Sequence, residues 1–420
     1  MRACLASLVL IAAAACPAFA GNWPQWRGVR NDGVSPETGL PSEWDATKNV
    51  LLKVPMPGPG ASTPCVWGDK IFLTAQVGEK LDLLCVGTAG KVLWTRTLGT
   101  GEGKFRGDEG NMASASCSTD GKLVYALVGS GNLAAYDFDG KRAWAVDCQK
   151  EFGKFNIQFG GHWTPVLHKA RLYVCLMHRG AQLIVAFEAA TGKVAWQAKR
   201  VSDGTGESPD VYCSPFLWEK GEQALLIVHG DDYCTAHKLD DGAEVWRVNE
   251  LNPKAAYNRN WRAVSSPLVT PDLIVIPSCK QYPTVAIRPD GATGLIAPGS
   301  PSEAWRFKTT PDVPSPLLVN GVAYLMGANG KLTALDAKTG KMHFTEGVTN
   351  ERHRANPVAA DGKVYLLGRE GTCAVITAGV TAFDLVAKNK LPDTFTASPA
   401  VADGRIYLRG WNTLWVIGSK

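Results

Sequence analysis

Five polar side chains that could contact a ligand recur at one kind of position in the chain. Each lies a few residues before a Ser-Pro, Thr-Pro or Asn-Pro pair that opens an apolar run: His162, Asp210, Arg262, Asp312 and Arg354. Arginine binds carboxylates or phosphates through two parallel hydrogen bonds. One hypothesis is that the five converge on an anionic or polar ligand, with the arginines as clamps. The alternative is a solvated, salt-bridged rim around a water-filled channel, because structural ion-pair networks gather the same residue types.

Residues of metal-binding type occur together at His229, Asp231, Asp232 and His237. Their segment is typical of strand, turn and strand, which makes Asp231 and Asp232 turn residues, so we predict no metal site there. Neither a CxxC pair nor a Gly-x-Ser-x-Gly nucleophile motif is present in the sequence. We assign no catalytic residue.

The elements that position these side chains are copies of one repeat, and the clearest copy covers residues 315–344. The turn dipeptides Asn320-Gly321 and Asn329-Gly330 separate three short apolar runs, as in β-hairpins. The turn around Gly340 then leads into a fourth strand. The repeat therefore predicts a four-stranded antiparallel sheet. The sheet is apolar on both faces, so both faces must be covered.

Eight such copies follow one another without a linker. Their first strands are predicted to begin at Ser62-Thr63-Pro64, Ser114, Thr164-Pro165, Ser214-Pro215, Ser266-Pro267, Ser315-Pro316, Asn356-Pro357 and Ser398-Pro399. An aromatic residue recurs in the fourth strand, at Trp94, Trp144, Trp196, Trp246, Trp305 and Phe344. This periodicity predicts an all-β, eight-bladed β-propeller, with seven blades as the fallback. The last copy lacks a fourth strand, and residues 50–55 are predicted to supply it, which would close the ring and hide an open edge.

The start of the chain predicts export. Residues 1–20 combine a positive start, an apolar run and a small-x-small cleavage pattern, so they are interpreted as a signal peptide. Lipid attachment at Cys16 is the less favoured reading, because its flanking residues do not fit such a site. Residues 21–49 form a Trp-rich segment that we expect to pack on the propeller, and residues 50–420 form one propeller domain. No later stretch is long and apolar enough to cross a membrane as a helix.

Composition narrows the classes of function. The formal net charge of the chain is +5, and the sequence has neither a basic run nor an aromatic-interleaved basic patch, which argues against nucleic-acid binding. Nine cysteines follow the signal peptide, and most sit within strand patterns, so we interpret them as small buried hydrophobic residues. We expect a monomer.

The opening Trp23-Pro24-Gln25-Trp26-Arg27-Gly28 and the turns at residues 188–196 and 336–340 carry a family resemblance. They resemble a secreted bacterial branch of the PQQ-like, quinoprotein-type β-propeller superfamily. Members that bind pyrroloquinoline quinone carry two adjacent cysteines and a Glu, Asn and Asp set for calcium. This sequence has no adjacent cysteines, and no calcium set can be placed. We therefore expect no cofactor, with pyrroloquinoline quinone and calcium as the minority possibility.

Two functions follow from the resemblance. The first is a non-catalytic scaffold, in the periplasm or at the cell surface, that binds a protein, peptide or glycan at its loop-rich face. That scaffold is similar to the outer-membrane assembly lipoproteins of the BamB family. The second is an oxidoreductase that uses pyrroloquinoline quinone or another small ligand at the polar ring around the channel.

Overall fold

The structure, a computed structural model, describes residues 21–101, 110–280 and 282–419. It contains eight antiparallel sheets arranged as an eight-bladed β-propeller, so the predicted fold is confirmed and the seven-bladed fallback is wrong. Residues 1–20, and with them the predicted signal peptide and Cys16, lie outside the described residues. The described part of the chain contains no helix long and apolar enough to cross a membrane.

The chain enters the ring with one strand, β1 (Val50–Pro55), and then builds the blades in order. Blade 1 contains β2 (Cys65–Trp67), β3 (Lys70–Val77), β4 (Lys80–Gly87) and β5 (Val92–Thr100). Blade 2 contains β6 (Ser118–Thr119), β7 (Leu123–Leu127), β8 (Asn132–Asp137) and β9 (Arg142–Asp147). A short helix α1 (Cys148–Phe152) leads to blade 3, which contains β10 (Val166–His168), β11 (Arg171–His178), β12 (Ala181–Glu188) and β13 (Val194–Lys199).

The remaining blades follow the same pattern. Blade 4 contains β14 (Phe216–Lys220), β15 (Gln223–Gly230), β16 (Tyr233–Lys238) and β17 (Glu244–Val248), and a 3₁₀ turn follows at Lys254–Ala256. Blade 5 contains β18 (Leu268–Val269), β19 (Ile274–Ile276), β20 (Thr284–Ile287) and β22 (Glu303–Phe307), and its extra strand β21 (Gly294–Ile296) pairs in parallel with β17. Blade 6 contains β23 (Leu317–Val319), β24 (Val322–Met326), β25 (Lys331–Asp336) and β26 (Met342–Gly347). Blade 7 contains β27 (Val358–Ala360), β28 (Lys363–Leu367), β29 (Thr372–Thr377) and β30 (Leu385–Lys390). Blade 8 contains β31 (Ala400–Ala402), β32 (Arg405–Arg409) and β33 (Thr413–Ile417).

The ring is closed by strands from both ends of the chain. β1 pairs antiparallel with β33, from Val50 opposite Ile417 to Pro55 opposite Thr413, and so becomes the fourth strand of blade 8. The predicted closure is confirmed. Because the pairing joins the first blade-forming strand to the last, it covers an edge that would otherwise be open to other chains.

The recurring tryptophan and the recurring glycine turn are two halves of one contact between blades. Trp94 of blade 1 donates its indole N–H to the Phe138 carbonyl of blade 2 at 2.9 Å, and its ring lies against Gly140. A Cβ on Gly140 would stand 2.8 Å from that ring. The same pairing recurs for Trp144 with Gly192, Trp196 with Gly242 and Trp305 with Gly340. Glycine is therefore required there for close approach as well as for its positive φ.

The first strands begin later than the sequence indicated. In blade 6, for example, β23 begins at Leu317, two residues after the predicted start at Ser315. In blade 2 the equivalent of the other Ser-Pro serines is Ser116, followed by Cys117, and the prediction at Ser114 was two residues out of register. The reason is that these residues do not pair in the sheet. They form hydrogen bonds around the channel instead.

The segment before β1 runs through the channel end opposite the blade-to-blade connections. Trp23 forms a bridge with Val66 of blade 1, and Val34 forms one with Ala359 of blade 7. Trp23, Leu40 and Trp44 are buried in one hydrophobic cluster with strands of blades 1, 7 and 8. We call residues 21–45 the plug, because their first part closes this end of the channel. At their other end Trp44 packs on blade 7, where its backbone N–H donates to Asn389 of β30 at 2.8 Å.

Candidate functional site

The channel is a blind cavity rather than an open passage. The plug supplies Trp26 as part of its wall, and the Trp26 ring packs 5.6 Å from the ring of Phe216 at the start of β14. The remaining space has a volume of about 320 Å³ and opens toward the connections between blades. A cavity of this size is at the lower end of the range for small-molecule sites, which is about 300–1,000 Å³.

A hydrogen-bonded ring surrounds the cavity at the level of the Ser-Pro pairs. The backbone N–H of each ring residue donates to the side-chain oxygen of its counterpart in the next blade. Seven such steps, at 2.6–3.1 Å, run through Thr63, Ser116, Thr164, Ser214, Ser266, Ser315, Asn356 and Ser398. All eight residues line the cavity and are buried. The repeated serines are thus structural, because they satisfy backbone N–H groups that no strand can reach.

Four of the five predicted ligand-contacting residues line the cavity: His162, Arg262, Asp312 and Arg354. Asp210 does not. Its carboxylate, which is fully buried, instead accepts two hydrogen bonds from the Arg179 guanidinium, at 2.9 and 2.7 Å. Burial raises the pKa of Asp210, and the hydrogen bonds and charge of Arg179 partly offset this effect. Asp210 therefore anchors a connection through an ion pair.

His162 lies in the cavity wall as a neutral imidazole. Its Nε2 is 2.8 Å from the Phe159 carbonyl, so Nε2 carries the proton and donates it, and Nδ1 has no partner within the described chain. Burial lowers the pKa of His162 to about 4. The ring of Tyr212 lies 5.8 Å from the imidazole, and burial raises the pKa of Tyr212. The wall at this point is aromatic and uncharged at neutral pH.

The charged groups of the cavity are already engaged. Arg262 forms an ion pair with Glu207 and its guanidinium lies 5.5 Å from the Phe159 ring. Lys280 Nζ donates to the Asn260 carbonyl at 3.0 Å, and the Lys280 backbone N–H donates to Asp312 at 3.3 Å. These pairings favour the predicted alternative of a salt-bridged rim for Arg262 over a free clamp.

Arg354 also belongs to the cavity wall. Its Nη1 donates to the His353 carbonyl at 3.1 Å. The neighbouring His353 is fully buried, and burial lowers its pKa to about 4. Both residues belong to the connection before blade 7.

Three long connections at the open end join into one surface. We call this surface the crown, and it comprises residues 153–162, 201–213 and 249–263. The Glu207 N–H donates to the Arg259 carbonyl at 2.8 Å, and the Thr205 N–H donates to the Tyr257 hydroxyl at 2.8 Å. These bonds join residues 201–213 to residues 249–263. Residues 153–162 contact both through Phe159, whose ring lies 5.5 Å from the Arg262 guanidinium and 6.3 Å from the Tyr212 ring.

The crown is anchored by one buried carboxylate, Asp232, in the turn between β15 and β16. It accepts hydrogen bonds from Ser208 Oγ at 2.6 Å, Asn252 Nδ2 at 3.1 Å, Tyr257 Oη at 2.7 Å and Lys254 Nζ at 3.1 Å. Asp232 is 2% exposed, so the four donors replace the water that burial removed.

The residues of metal-binding type around this turn are not arranged to hold an ion. Asp231 and Asp232 have φ values of 49° and 68°, as expected for turn residues, and burial lowers the pKa of His229 to about 3 and of His237 to about 4. Within residues 21–101, 110–280 and 282–419, no group of three or more His, Cys, Asp or Glu side chains could ligate a metal.

All nine cysteines of the described chain are buried and free of disulfide bonds. Burial raises the pKa of Cys117, Cys175 and Cys234 to about 12, so these thiols are protonated and unreactive at neutral pH. They behave as the small hydrophobic residues that the sequence indicated.

Sequence reasoning missed several residues of the site. Trp26, Lys280 and the partner Glu207 were not predicted as parts of it. The repetition of Ser-Pro pairs was the one signal that could have located the ring, since a polar residue held at one position in eight repeats must have a common task. The hydrogen-bond partners in the crown are not marked by any repeated sequence pattern, so they could not be predicted in this way.

Comparisons with known proteins agree with this geometry. The family model for the outer membrane protein assembly factor BamB matches residues 80–215, 129–291 and 289–410. The factor from Yersinia pestis is 24% identical over 310 residues, which cover 71% of this chain and 72% of that protein. The factor from Moranella endobia is 26% identical over 265 residues, and the match spans 60% of this chain and 62% of that relative.

Solved structures show the same fold at low sequence identity. BamB from Moraxella catarrhalis superposes with a TM-score of 0.62 at 11% identity, over 87% of this chain and 98% of that one. The quinohemoprotein alcohol dehydrogenase from Comamonas testosteroni superposes with a TM-score of 0.70 at 13% identity, over 95% of this chain and 81% of that one. The fold is therefore shared by a protein-assembly factor and by an oxidoreductase.

Proposed function

Because this chain belongs to the family of the outer membrane protein assembly factor BamB, we propose that it is a non-catalytic scaffold that binds another protein through the crown. The fold by itself is compatible with a protein-binding scaffold or a quinoprotein. The names of the relatives support a protein as the partner, ahead of the peptide or glycan that the sequence left open.

The observation that carries this proposal is the crown itself. Asp232 accepts hydrogen bonds from two of its three connections, and the crown presents mixed charges and half-buried aromatic rings. Phe155 and Tyr257 are partly exposed, Val201 is 67% exposed, and Lys154 and Arg259 are exposed. Aromatic and arginine side chains on a preorganised surface are the usual anchors of protein interfaces.

The experiment compares charge reversal at the two ends of the molecule. The double variant Lys154→Glu/Arg259→Glu changes two exposed crown residues, and Lys338→Glu changes an exposed lysine at the plugged end as the matched control. Tagged proteins are captured from the envelope of the source organism, and the partner that wild type enriches is then purified for a direct binding measurement. We expect the crown variant to weaken binding about tenfold or more and the control to bind like wild type. Equal binding by both variants, or capture of a glycan and no protein, contradicts the proposal.

The described part of the cavity wall offers few ligands for the quinone alternative. Calcium needs six or more oxygen ligands, several of them carboxylates. The described cavity wall contributes one carboxylate, Asp312, and that carboxylate is engaged with the Lys280 backbone. A titration with calcium and pyrroloquinoline quinone, followed by absorbance and melting temperature, tests the point, because a ligand of the folded state must raise apparent stability. We expect no rise in melting temperature, and a saturable rise would favour the quinoprotein.

We further propose export to the periplasm or cell surface, as a monomer, with residues 1–20 removed ahead of the segment 21–49 and the propeller 50–420. The family of outer membrane assembly factors supports this placement. Cell fractionation and N-terminal sequencing of the mature protein test it: a mature chain that begins at residue 21 is expected, and a chain that begins with a modified Cys16 would contradict it.

A further inference from the structure

The ring hydroxyls have hydrogen-bonding capacity that the fold does not use. Ser116, Thr164, Ser214, Ser315 and Ser398 each accept one backbone N–H from the preceding blade. Within the described residues, none of these five hydroxyls donates its own proton to a protein acceptor. All five line the cavity. The wall therefore presents a circle of O–H donors whose acceptors must come from whatever occupies the cavity.

A buried cation lies beneath this ring. Arg27 of the plug is 1% exposed, and one of its nitrogens donates to the Asp32 carbonyl at 2.9 Å and to the Pro316 carbonyl at 2.6 Å. Pro316 follows the ring residue Ser315, so the guanidinium lies near the ring, behind the lining residue Trp26 and not in the cavity wall itself. Its Nε and Nη1 have no partner in the described chain. Burial lowers the pKa of Arg27 to about 10, while the Asp32 charge acts in the opposite direction.

Arg27 is not neutralised by a direct carboxylate contact. Asp32 gives it a carbonyl oxygen, and the Asp32 carboxylate pairs instead with Arg30 at 2.9 Å. A buried charge without a counter-ion is costly, so proteins usually supply one. Lys280 in the cavity wall, whose ammonium donates to the Asn260 carbonyl, adds a positive charge from above, and Asp312 is the one described carboxylate of the wall.

We propose that the blind cavity binds a small oxyanion, a carboxylate or an inorganic ion such as sulfate, against the hydroxyl ring above Trp26. The hydroxyls donate to its oxygens, and Arg27 stabilises its charge from below the ring. The site lies inside the channel and does not depend on partner binding at the crown. The cavity wall presents more hydrogen-bond donors than acceptors, and this favours an anion over a neutral sugar.

Asp312 provides a test in which a substitution should increase the affinity for the anion. Its carboxylate repels an anion, so Asp312→Asn should tighten binding. Asparagine has the same shape and tolerates the left-handed φ of 71° at this position. A residue with only a structural role would not produce a gain of affinity when it is changed.

The binding experiment is a calorimetric titration of the mature protein with sulfate and, separately, with acetate, at fixed ionic strength. We expect one saturable site for at least one of the two probes. Arg27→Met should weaken it about tenfold or more, Lys280→Gln about two- to fivefold, and Asp312→Asn should strengthen it about two- to fivefold. Two variants serve as matched controls: Arg200→Met, a buried arginine between blades 3 and 4, and Lys338→Gln, an exposed lysine at the plugged end. Both should leave the affinity unchanged.

Crystals soaked in selenate then locate the anion. We predict an anomalous peak inside the ring, above Trp26. The proposal is overturned if neither probe binds, if Asp312→Asn has no effect or weakens binding, or if the peak lies only on the outer surface. The Arg27→Met variant could fail to fold because Arg27 is buried. In that case the Asp312→Asn variant, which we expect to fold normally, still tests the proposal.

Discussion

The two ends of the channel are closed by different parts of the chain and by different kinds of interaction. At the plugged end, Trp23 and Leu40 are buried among strands of blades 1, 7 and 8. At the open end, the crown is held by hydrogen bonds and ion pairs that converge on Asp232. The plug is stabilised by burial of apolar side chains. Polar pairing gives the crown a defined shape while its outer surface stays available for binding.

The two ends should differ most in the unfolding free energy that is lost when a tryptophan at each end is replaced by alanine. Trp23 at the plugged end is 1% exposed, whereas Trp411 lies partly exposed at the open end, with its indole N–H on Thr396. Trp23→Ala should cost about 3–5 kcal/mol of unfolding free energy. Trp411→Ala should cost about 1 kcal/mol, the value of one hydrogen bond. Urea unfolding measures both, and equal losses would contradict the comparison.

Acid should weaken the fold through its buried histidines. The pKa values of His162, His237 and His353 are lowered to about 4, and that of His229 to about 3, because burial disfavours the charged ring. Between pH 6.5 and 4 the unfolded chain therefore binds more protons than the folded one, and stability falls as pH falls. Each such histidine contributes up to about 1.4 kcal/mol per pH unit in that window.

Urea unfolding at several pH values checks this slope. His162→Gln, in the cavity wall, should reduce the slope by one histidine's share. A stability that does not change between about pH 7 and pH 5 would show that the histidines are not buried as neutral rings.

The anchor of the crown can be removed separately from the propeller. Asp232→Asn keeps the size of the side chain but leaves donors such as Lys254 and Tyr257 poorly matched, at a cost of about 1–3 kcal/mol. We expect hydrogen exchange to accelerate in residues 201–213 and 249–263 and to stay unchanged in the plug. Exchange that rises equally in both regions would mean that the two ends are one cooperative unit.

The smallest effect concerns two lysines that each bridge two aspartates. Lys254 at the open end contacts Asp203 at 3.0 Å and the buried Asp232 at 3.1 Å. Lys220 at the plugged end contacts Asp272 at 3.0 Å and Asp290 at 2.9 Å, and both of those side chains are exposed. Lys220→Ala should therefore cost less than about 1 kcal/mol and depend on salt. Lys254→Ala should cost more in the same unfolding measurement, because it leaves a buried charge without its partner.

Much of the fold could be predicted from local patterns. Turn dipeptides, Ser-Pro pairs and the Trp and Gly of each repeat specify one blade, and eight copies with one missing strand predict both the ring and its closure by residues 50–55. The register of blade 2 could not be read, because Cys117 replaces the proline that marks the other copies. The strand β21 was also missed, since its three residues pair outside their own blade.

The candidate site was harder to predict, for a physical reason. The position of a residue within its repeat predicts how close it lies to the channel. On this basis His162, Arg262, Asp312 and Arg354 were predicted near the channel, and they line the cavity. Whether a charge is free or engaged depends on partners far along the chain. Arg179 and Asp210 are 31 residues apart, and Arg262 and Glu207 are 55 apart. Those pairings arise from loop conformations that no repeat encodes.

The most direct test of the binding role is site-specific photocrosslinking in the source organism. A photoreactive residue is placed at exposed crown positions, Asn156 and Arg259, and at exposed positions of the plugged end, Gly68 and Lys338. We predict crosslinks to one protein species from the crown positions and none from the plugged end. Crosslinks to that species from the plugged end alone, or no protein adduct at either crown position, would contradict binding through the crown.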